Sequence, residues 1–222
     1  MAELTLFYSP GACARVTLNA LEELGLEFEA EVVNLGKGGQ RTPDYLAINP
    51  KGKVPALKIG GQVLTENAAI LYFLHTQHPE SGLLPLRDDP VEYAQGLSDL
   101  VWCGGTLHPL IRQIMRPDHY TVGDTSGVNE SGHIGFTKVI GQLEQHFSSN
   151  HWWYGDTWSI VDVYLYWVYS TAQAGGFSLD DYPAVNAHTK RVRARPSFQR
   201  ALARELAAVE SEGIQLPPGA KL

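Results

Sequence analysis

Glu3-Leu-Thr-Leu-Phe-Tyr8, Cys13-Ala-Arg-Val-Thr-Leu-Asn-Ala-Leu-Glu-Glu-Leu24 and Phe28-Glu-Ala-Glu-Val-Val33 follow one another with only short turns between them. The first alternates with period two and puts Leu4, Leu6 and Tyr8 on one face, which reads as a strand. The second carries Val16, Ala20 and Leu24 on one stripe with Glu22 and Glu23 outside it, which reads as a helix stopped by Gly25. The third alternates again. Strand, helix and strand within about thirty residues is a βαβ unit, so its two strands are expected to be parallel with a right-handed crossover.

Working outward, a loop with Gly36, Gly38 and Gly39 leads to a short helical turn near Pro43–Ala47. Val54–Ile59 and Gln62–Thr65 flank Gly60-Gly61, a pair that tolerates the positive φ of a hairpin turn. Asn67 is the expected N-cap of the following helix, which is apolar on all sides and so is expected to be covered on both faces. The sum is a small mixed four-stranded sheet with helices packed on it, ordered βαβ-α-ββα. From Pro79 the chain turns rich in Pro, Gly and Asp. Beyond that everything reads as helix, at about 91–116, 129–149, 159–174, 184–194 and 197–209. The expected organisation is therefore an α/β domain over 1–78, a linker over 79–89 and an all-α domain over 90–222 with a loose tail from Leu216.

Composition removes several function classes. Of 222 residues, 44% are hydrophobic and 18% charged, enough for a substantial core and wrong for a disordered chain. No apolar run approaches the length of a membrane span, and the opening residues lack a basic segment followed by an apolar one. The expectation is a cytoplasmic chain with no membrane partner. Net charge is −7, split −2 for residues 1–78 and −5 for the rest, so no nucleic-acid partner is expected. The basic cluster Lys190, Arg191, Arg193, Arg195, Arg200 and Arg204 reads as a solvated face. Cys13 and Cys103 form neither a disulfide framework nor a zinc-ligand pair, and no metal site is expected.

Four segments carry chemistry. In Ser9-Pro-Gly-Ala-Cys13 a turn delivers Cys13 to the start of a helix, where the dipole and open N–H groups favour a thiolate. Cys13 is then a nucleophile or redox sulfur, or else a small buried hydrophobe. In Asn49-Pro-Lys-Gly-Lys-Val-Pro-Ala-Leu57, Pro55 belongs on a strand edge or in a cis turn. A cis Val54–Pro55 bond would turn the Val54 backbone outward to pair with an extended peptide, and Lys53 beside it would meet a carboxylate or solvent. In Thr65-Glu-Asn67, a helix N-terminus beside a carboxylate suits an anion next to an ammonium, the two charges of an α-amino acid headgroup; the alternative is a simple cap. In Trp102-Cys-Gly-Gly-Thr-Leu-His-Pro109, two glycines inside a helix imply that a neighbouring helix or a ligand uses their space, and Pro109 implies a kink beside His108. Ser159 and Asp162 stand at capping-box spacing, and Tyr164 and Trp167 read as core.

Taken together, Ser9–Cys13, Asn49–Leu57, Thr65-Glu-Asn-Ala-Ala-Ile70 and Ser159-Ile-Val-Asp162, in order and at family spacing, resemble the cytosolic glutathione transferases over nearly the whole chain. The Pro-Gly-Ala-Cys turn and Leu107-His108 are most similar to bacterial beta-class enzymes. The resemblance implies a thioredoxin-like α/β domain that binds glutathione as co-substrate and an all-helical domain that holds a small hydrophobic electrophile. It implies a homodimer. It also implies a cis bond before Pro55, Val54 pairing with the cysteinyl unit, Glu66 and Asn67 on the γ-glutamyl headgroup, and Lys37 and Lys53 reaching the glycyl carboxylate. Cys13 and His108 match residues near the glutathione sulfur. Other classes activate that thiol with Ser or Tyr from the same loop, so Ser9 and Tyr8 stand beside them as catalytic candidates. The activity implied is conjugation of the glutathione thiol to an electrophile. The alternatives are a glutathione-dependent thiol oxidoreductase or dehalogenase using Cys13 covalently, or a non-catalytic binding protein of the same fold.

Overall fold

The computed structural model describes residues 3–85, 89–216, 219 and 222. They divide into two compact units, one of residues 3–83 with Arg195–Leu216 and Leu222, the other of Leu84–Ala194 with Gly219.

The first unit opens with β1 (Leu4–Tyr8), α1 (Ala14–Leu24) and β2 (Glu29–Val32). β1 and β2 pair in parallel from Thr5 with Glu29 to Tyr8 with Val32, as a βαβ unit requires. Gly25 ends α1 in the left-handed region at φ 62°. Thr42 caps α2 (Pro43–Ile48) through its hydroxyl, 3.3 Å from the Tyr45 N–H. β3 (Ala56–Ile59) and β4 (Gln62–Thr65) form the hairpin about Gly60, whose φ is 56°. The sheet order is β2-β1-β3-β4, with only the β1–β2 pairing parallel. α3 (Asn67–Gln77) follows β4 and buries Ile70, Leu71 and Leu74. Its N-cap is Glu66, not the expected Asn67. Asn67 is the first helical residue, and its side chain bonds Thr17 and the Cys13 carbonyl instead of capping α3.

The second unit is helical: α4 (Pro90–Trp102), α5 (His108–Met115), α6 (Ser126–Ser149), α7 (Ile160–Ala174) and α8 (Pro183–Arg193). The single helix expected over 91–116 is interrupted by a widened π-type turn at Cys103–Leu107, where the His108 N–H reaches back to the Cys103 carbonyl. Pro109 cannot donate to the carbonyl four residues before it, and the wider turn absorbs that lost bond. The space left by Gly104 is taken by α7: a Cβ there would lie 3.1 Å from the Tyr164 hydroxyl. Cys103 is buried, and burial, with Asp99 and Asp162 nearby, holds its thiol well above the ordinary range, so it packs as a hydrophobe.

The last helix, α9 (Pro196–Glu212), belongs to the first unit, not to the helical remainder. It buries Phe198, Ala201 and Ala208, and ion pairs join it to α1. Arg200 Nε lies 2.9 Å and Arg204 Nε 2.5 Å from the Glu22 carboxylate on α1, and Arg195 pairs with Glu23 at 2.5 Å while Ser197 donates to the same group. Half of the cluster expected to be a solvated face thus joins two helices. Residues 86–88 of the expected linker and 217, 218, 220 and 221 of the expected tail lie outside the described residues.

Asp162 organises the second unit. Its buried carboxylate accepts from the Ser159 N–H (2.9 Å) and hydroxyl (3.3 Å), the Trp153 N–H (2.7 Å) and His188 Nε2 (2.9 Å). With Nε2 donating, His188 Nδ1 accepts from the Tyr169 hydroxyl, so the imidazole is neutral, and burial lowers its proton affinity. A depressed His pKa gives stability that is whole above about pH 6.5 and is lost as the pH falls below it. Asp162→Ala is expected to cost about 3–5 kcal/mol, since it strands several buried donors at once. Urea unfolding checks this, and a midpoint close to that of wild type would remove Asp162 from this role.

Candidate active site

The thiol segment is held from four directions, all inside the first unit. The Ala12 N–H bonds the Ser9 carbonyl at 3.1 Å, closing a turn in which Gly11 takes φ 75°. A side chain rarely adopts that conformation, which is why glycine stands there. Cys13 is the N-cap residue of α1, one position before the expected first turn, and its carbonyl receives the Val16 N–H at 3.1 Å. The Asn67 amide donates to the same carbonyl at 2.9 Å while its oxygen accepts the Thr17 hydroxyl at 2.7 Å. Asn67 therefore ties the start of α3 to the start of α1. From α9, Glu205 Oε1 accepts the Gly11 N–H at 2.8 Å, and Arg15 Nε lies 2.6 Å from Oε2. Both side chains of this ion pair are buried, at 3% and 0% exposure.

The Cys13 sulfur donates to the Val54 carbonyl at 3.5 Å, within range for a sulfur donor. Val54 precedes Pro55 in a cis bond, as the resemblance implied. The loop before it is built around buried Asn49, whose amide donates to the Lys53 carbonyl at 2.7 Å; the Tyr45 hydroxyl donates to the same carbonyl at 2.7 Å. The Lys53 backbone is thus fixed while its side chain lies exposed.

Glu66 is the one non-glycine residue with positive φ among those described (φ 72°, ψ 123°). That conformation costs about 1–3 kcal/mol and aims the carboxylate outward beside the α3 N-terminus. Its Oε1 is met by Lys51 Nζ at 2.8 Å, and the same ammonium reaches the Thr65 hydroxyl at 3.0 Å. Sequence reading chose Lys53 and passed over Lys51; nothing in Lys-Gly-Lys separates the two. Arg15 and Glu205 were missed as well. For Glu205 a signal existed: Phe198, Ala201, Glu205 and Ala208 form one buried helical stripe. A carboxylate in an apolar stripe demands a buried cation.

Of the remaining candidates, Ser9 is buried at the end of β1, and Lys37 is exposed on the glycine loop. The Tyr8 hydroxyl donates to the Arg204 carbonyl at 3.4 Å. Burial, followed by the Glu205 carboxylate, pushes its pKa up to about 12 against the pull of Arg204. Tyr8 is thus a poor acid at neutral pH. His108 belongs to the second unit, where its ring packs edge-on against Trp167 at 4.5 Å between centroids. The first unit therefore brings Cys13, Val54 and Pro55 together with Asn67, and Glu66 adjoins Asn67.

Family models for the glutathione S-transferase N-terminal and C-terminal domains match residues 11–77 and 135–205. Glutathione S-transferase GstA of Escherichia coli O157:H7 is 30% identical over 207 residues, which is 91% of this chain and 98% of the relative. The chain belongs to the glutathione S-transferase family. This transferase is also 30% identical to the disulfide-bond oxidoreductase YfcG of Escherichia coli K12, over 90% of the chain and 94% of that relative. A solved sphingomonad glutathione S-transferase, complexed with glutathione, superposes with a TM-score of 0.79 at 31% identity, covering 90% of this chain and 98% of that one. Among the described residues, no cluster of metal-ligating side chains occurs and no helix is long and apolar enough to cross a membrane.

The strain at Glu66 makes the transferase testable without any ligand. Glu66→Gly is expected to raise stability by about 1 kcal/mol, because glycine takes φ 72° without steric cost. Thermal unfolding measures it; a lowered midpoint would mean that the Lys51 contact outweighs the strain.

Proposed function

We propose that the first unit binds glutathione around Cys13 and promotes ionisation of its thiol, and that the thiolate attacks a small hydrophobic electrophile. In that step the sulfur–carbon bond forms as the leaving group departs with its electron pair; the thiol proton passes to solvent. The observation that carries this reading is the meeting of three segments at one residue: the Cys13 sulfur on the Val54 carbonyl, and the Cys13 carbonyl on the Asn67 amide. A peptide thiol laid against Val54 comes next to Cys13 and the α1 N-terminus, where oriented N–H groups favour negative charge on sulfur.

The headgroup follows from Glu66 and Lys51. An α-amino acid end brings an ammonium to the Glu66 carboxylate and a carboxylate toward Lys51 and the open N–H groups of α3. Lys37 and Lys53, both exposed, are assigned to the glycyl carboxylate. Ser9, in the same loop, is assigned a share of the activation with Cys13, the family resemblance keeps His108 as the other candidate for that share, and the active molecule is a homodimer. A second reading, disulfide reduction through a covalent Cys13, draws support from the oxidoreductase relative and from the position of the thiol at a helix start.

Cys13→Ala is expected to lower kcat/KM for conjugation roughly tenfold to a hundredfold, about 1.4–2.7 kcal/mol on the transition-state scale. Tyr8→Phe is expected to leave its pH profile between 6 and 9 unmoved, since that hydroxyl does not ionise there. Abolition of both conjugation and disulfide reduction in Cys13→Ala, with Ser9→Ala and His108→Ala active, would replace activation by covalent chemistry. Glu66→Ala is expected to weaken glutathione binding by about 1.5–3 kcal/mol in calorimetry, the worth of a charge-assisted bond. Sedimentation at micromolar concentration that shows only a 24.4 kDa species would remove the dimer.

A further inference from the structure

Arg15 and Glu205 are both buried, and they flank Cys13 in the fold as well as in the bonding. The carboxylate holds the Gly11 N–H at 2.8 Å, two residues before Cys13, and the guanidinium two residues after it lies 2.6 Å from the same carboxylate. The backbone from Gly11 to Cys13 spans at most about 8 Å, so the carboxylate oxygen on the Gly11 N–H stands within about 11 Å of the thiol-bearing residue, with the guanidinium on the other oxygen of the same carboxylate. A lone buried carboxylate there would oppose a thiolate, and a lone guanidinium would favour one. Together they cancel, leaving the N-terminal end of α1 to act on the sulfur.

We propose that Arg15 and Glu205 form a charge-compensated anchor that fixes the Cys13 loop and sets how readily the Cys13 sulfur ionises. Theirs is a positioning role. The Cys13 sulfur bonds the Val54 carbonyl, whereas Glu205 bonds the Gly11 N–H and Arg15, and the family resemblance assigned neither Arg15 nor Glu205 a part. Other charged and titratable groups border Cys13: Arg204 and the Tyr8 hydroxyl on the α9 side, Lys53 before Val54, and Glu66 with Lys51 before Asn67. None of them is altered by substitution of the buried pair, and opposite shifts in the two single variants separate a charge effect from a displacement of these neighbours.

The inference rests on the reading that Cys13 lies at the reacting sulfur, but its test does not. The pH dependence of alkylation at Cys13 by iodoacetamide is followed by peptide mass spectrometry in the full chain; Cys103 is buried and serves as an internal control. At about 10 Å and an effective dielectric near 20, one uncompensated charge shifts a neighbouring ionisation by about one pH unit. Glu205→Gln keeps an acceptor for the Gly11 N–H and is expected to lower the alkylation midpoint by about that much. Arg15→Met is expected to raise it, and the double variant to restore the wild-type value. A merely structural pair would move both single variants the same way and the double variant further, and that outcome overturns the proposal. Should Glu205→Gln fail to fold, Arg15→Lys against Arg15→Met makes the same comparison: lysine keeps the wild-type midpoint, and its loss would count equally against the proposal. A variant whose Cys13 midpoint shifts while its conjugation pH profile stays fixed supports the anchor and counts instead against Cys13 as the residue at the reacting sulfur.

Discussion

A buried carboxylate has to be answered, and the answer to Glu205 shapes the first unit. The group sits at 0% exposure on α9 with the Gly11 N–H and the Arg15 guanidinium around it. Removing one partner from such a pair leaves an uncompensated charge in low dielectric, at a typical cost of about 3–5 kcal/mol. Holding all three groups together requires the turn before Cys13, the start of α1 and the middle of α9 to keep one geometry. The Glu22 and Glu23 pairs with Arg195, Arg200 and Arg204 then extend the same α1–α9 contact toward solvent. Those outer pairs are partly exposed and individually weak; the inner one is the constraint.

The second unit has a counterpart in Asp162, but its chemistry differs. There the carboxylate is answered mainly by neutral donors: two backbone N–H groups, a hydroxyl and a neutral imidazole. Charge is spread over several bonds without a buried cation, and the result fixes the start of α7 against α8. One unit thus secures its buried acid by ion pairing and the other by hydrogen bonding.

How far these features can be read from the chain depends on whether the deciding partner is near in sequence. The βαβ unit, the Gly60-Gly61 hairpin and the Ser159–Asp162 spacing are local patterns, and the fold repeats them. The assignment of α9 to the first unit depends on pairs separated by some 170–190 positions, such as Arg195 with Glu23 and Arg15 with Glu205. Periodicity gives a helix its stripe and says nothing of which helix meets it. The same limit applies at the site. Asn67 looked like a cap because Asn before an apolar run usually is one; its side chain turns to Thr17 and Cys13 instead, fifty or more positions away. Lys51 and Lys53 were indistinguishable until the strained backbone of Glu66 chose between them.

That the first unit closes with residues from the far end of the chain also bears on its birth at the ribosome. Residues 3–83 emerge early, yet Glu205 is made 190 positions after Arg15. At roughly 5–20 residues per second, the nascent α/β portion, once made to Leu83, waits about 6–24 seconds for the helix that completes it. Throughout that interval Arg15 has no carboxylate from α9, and Glu22 and Glu23 have no arginines from it. A chain stalled or cut before α9 therefore presents a half-finished sheet unit with its thiol turn unanchored, a species suited to capture by chaperones or proteases. Until α9 has been made, the turn that carries Cys13 lacks the carboxylate that holds its Gly11 N–H.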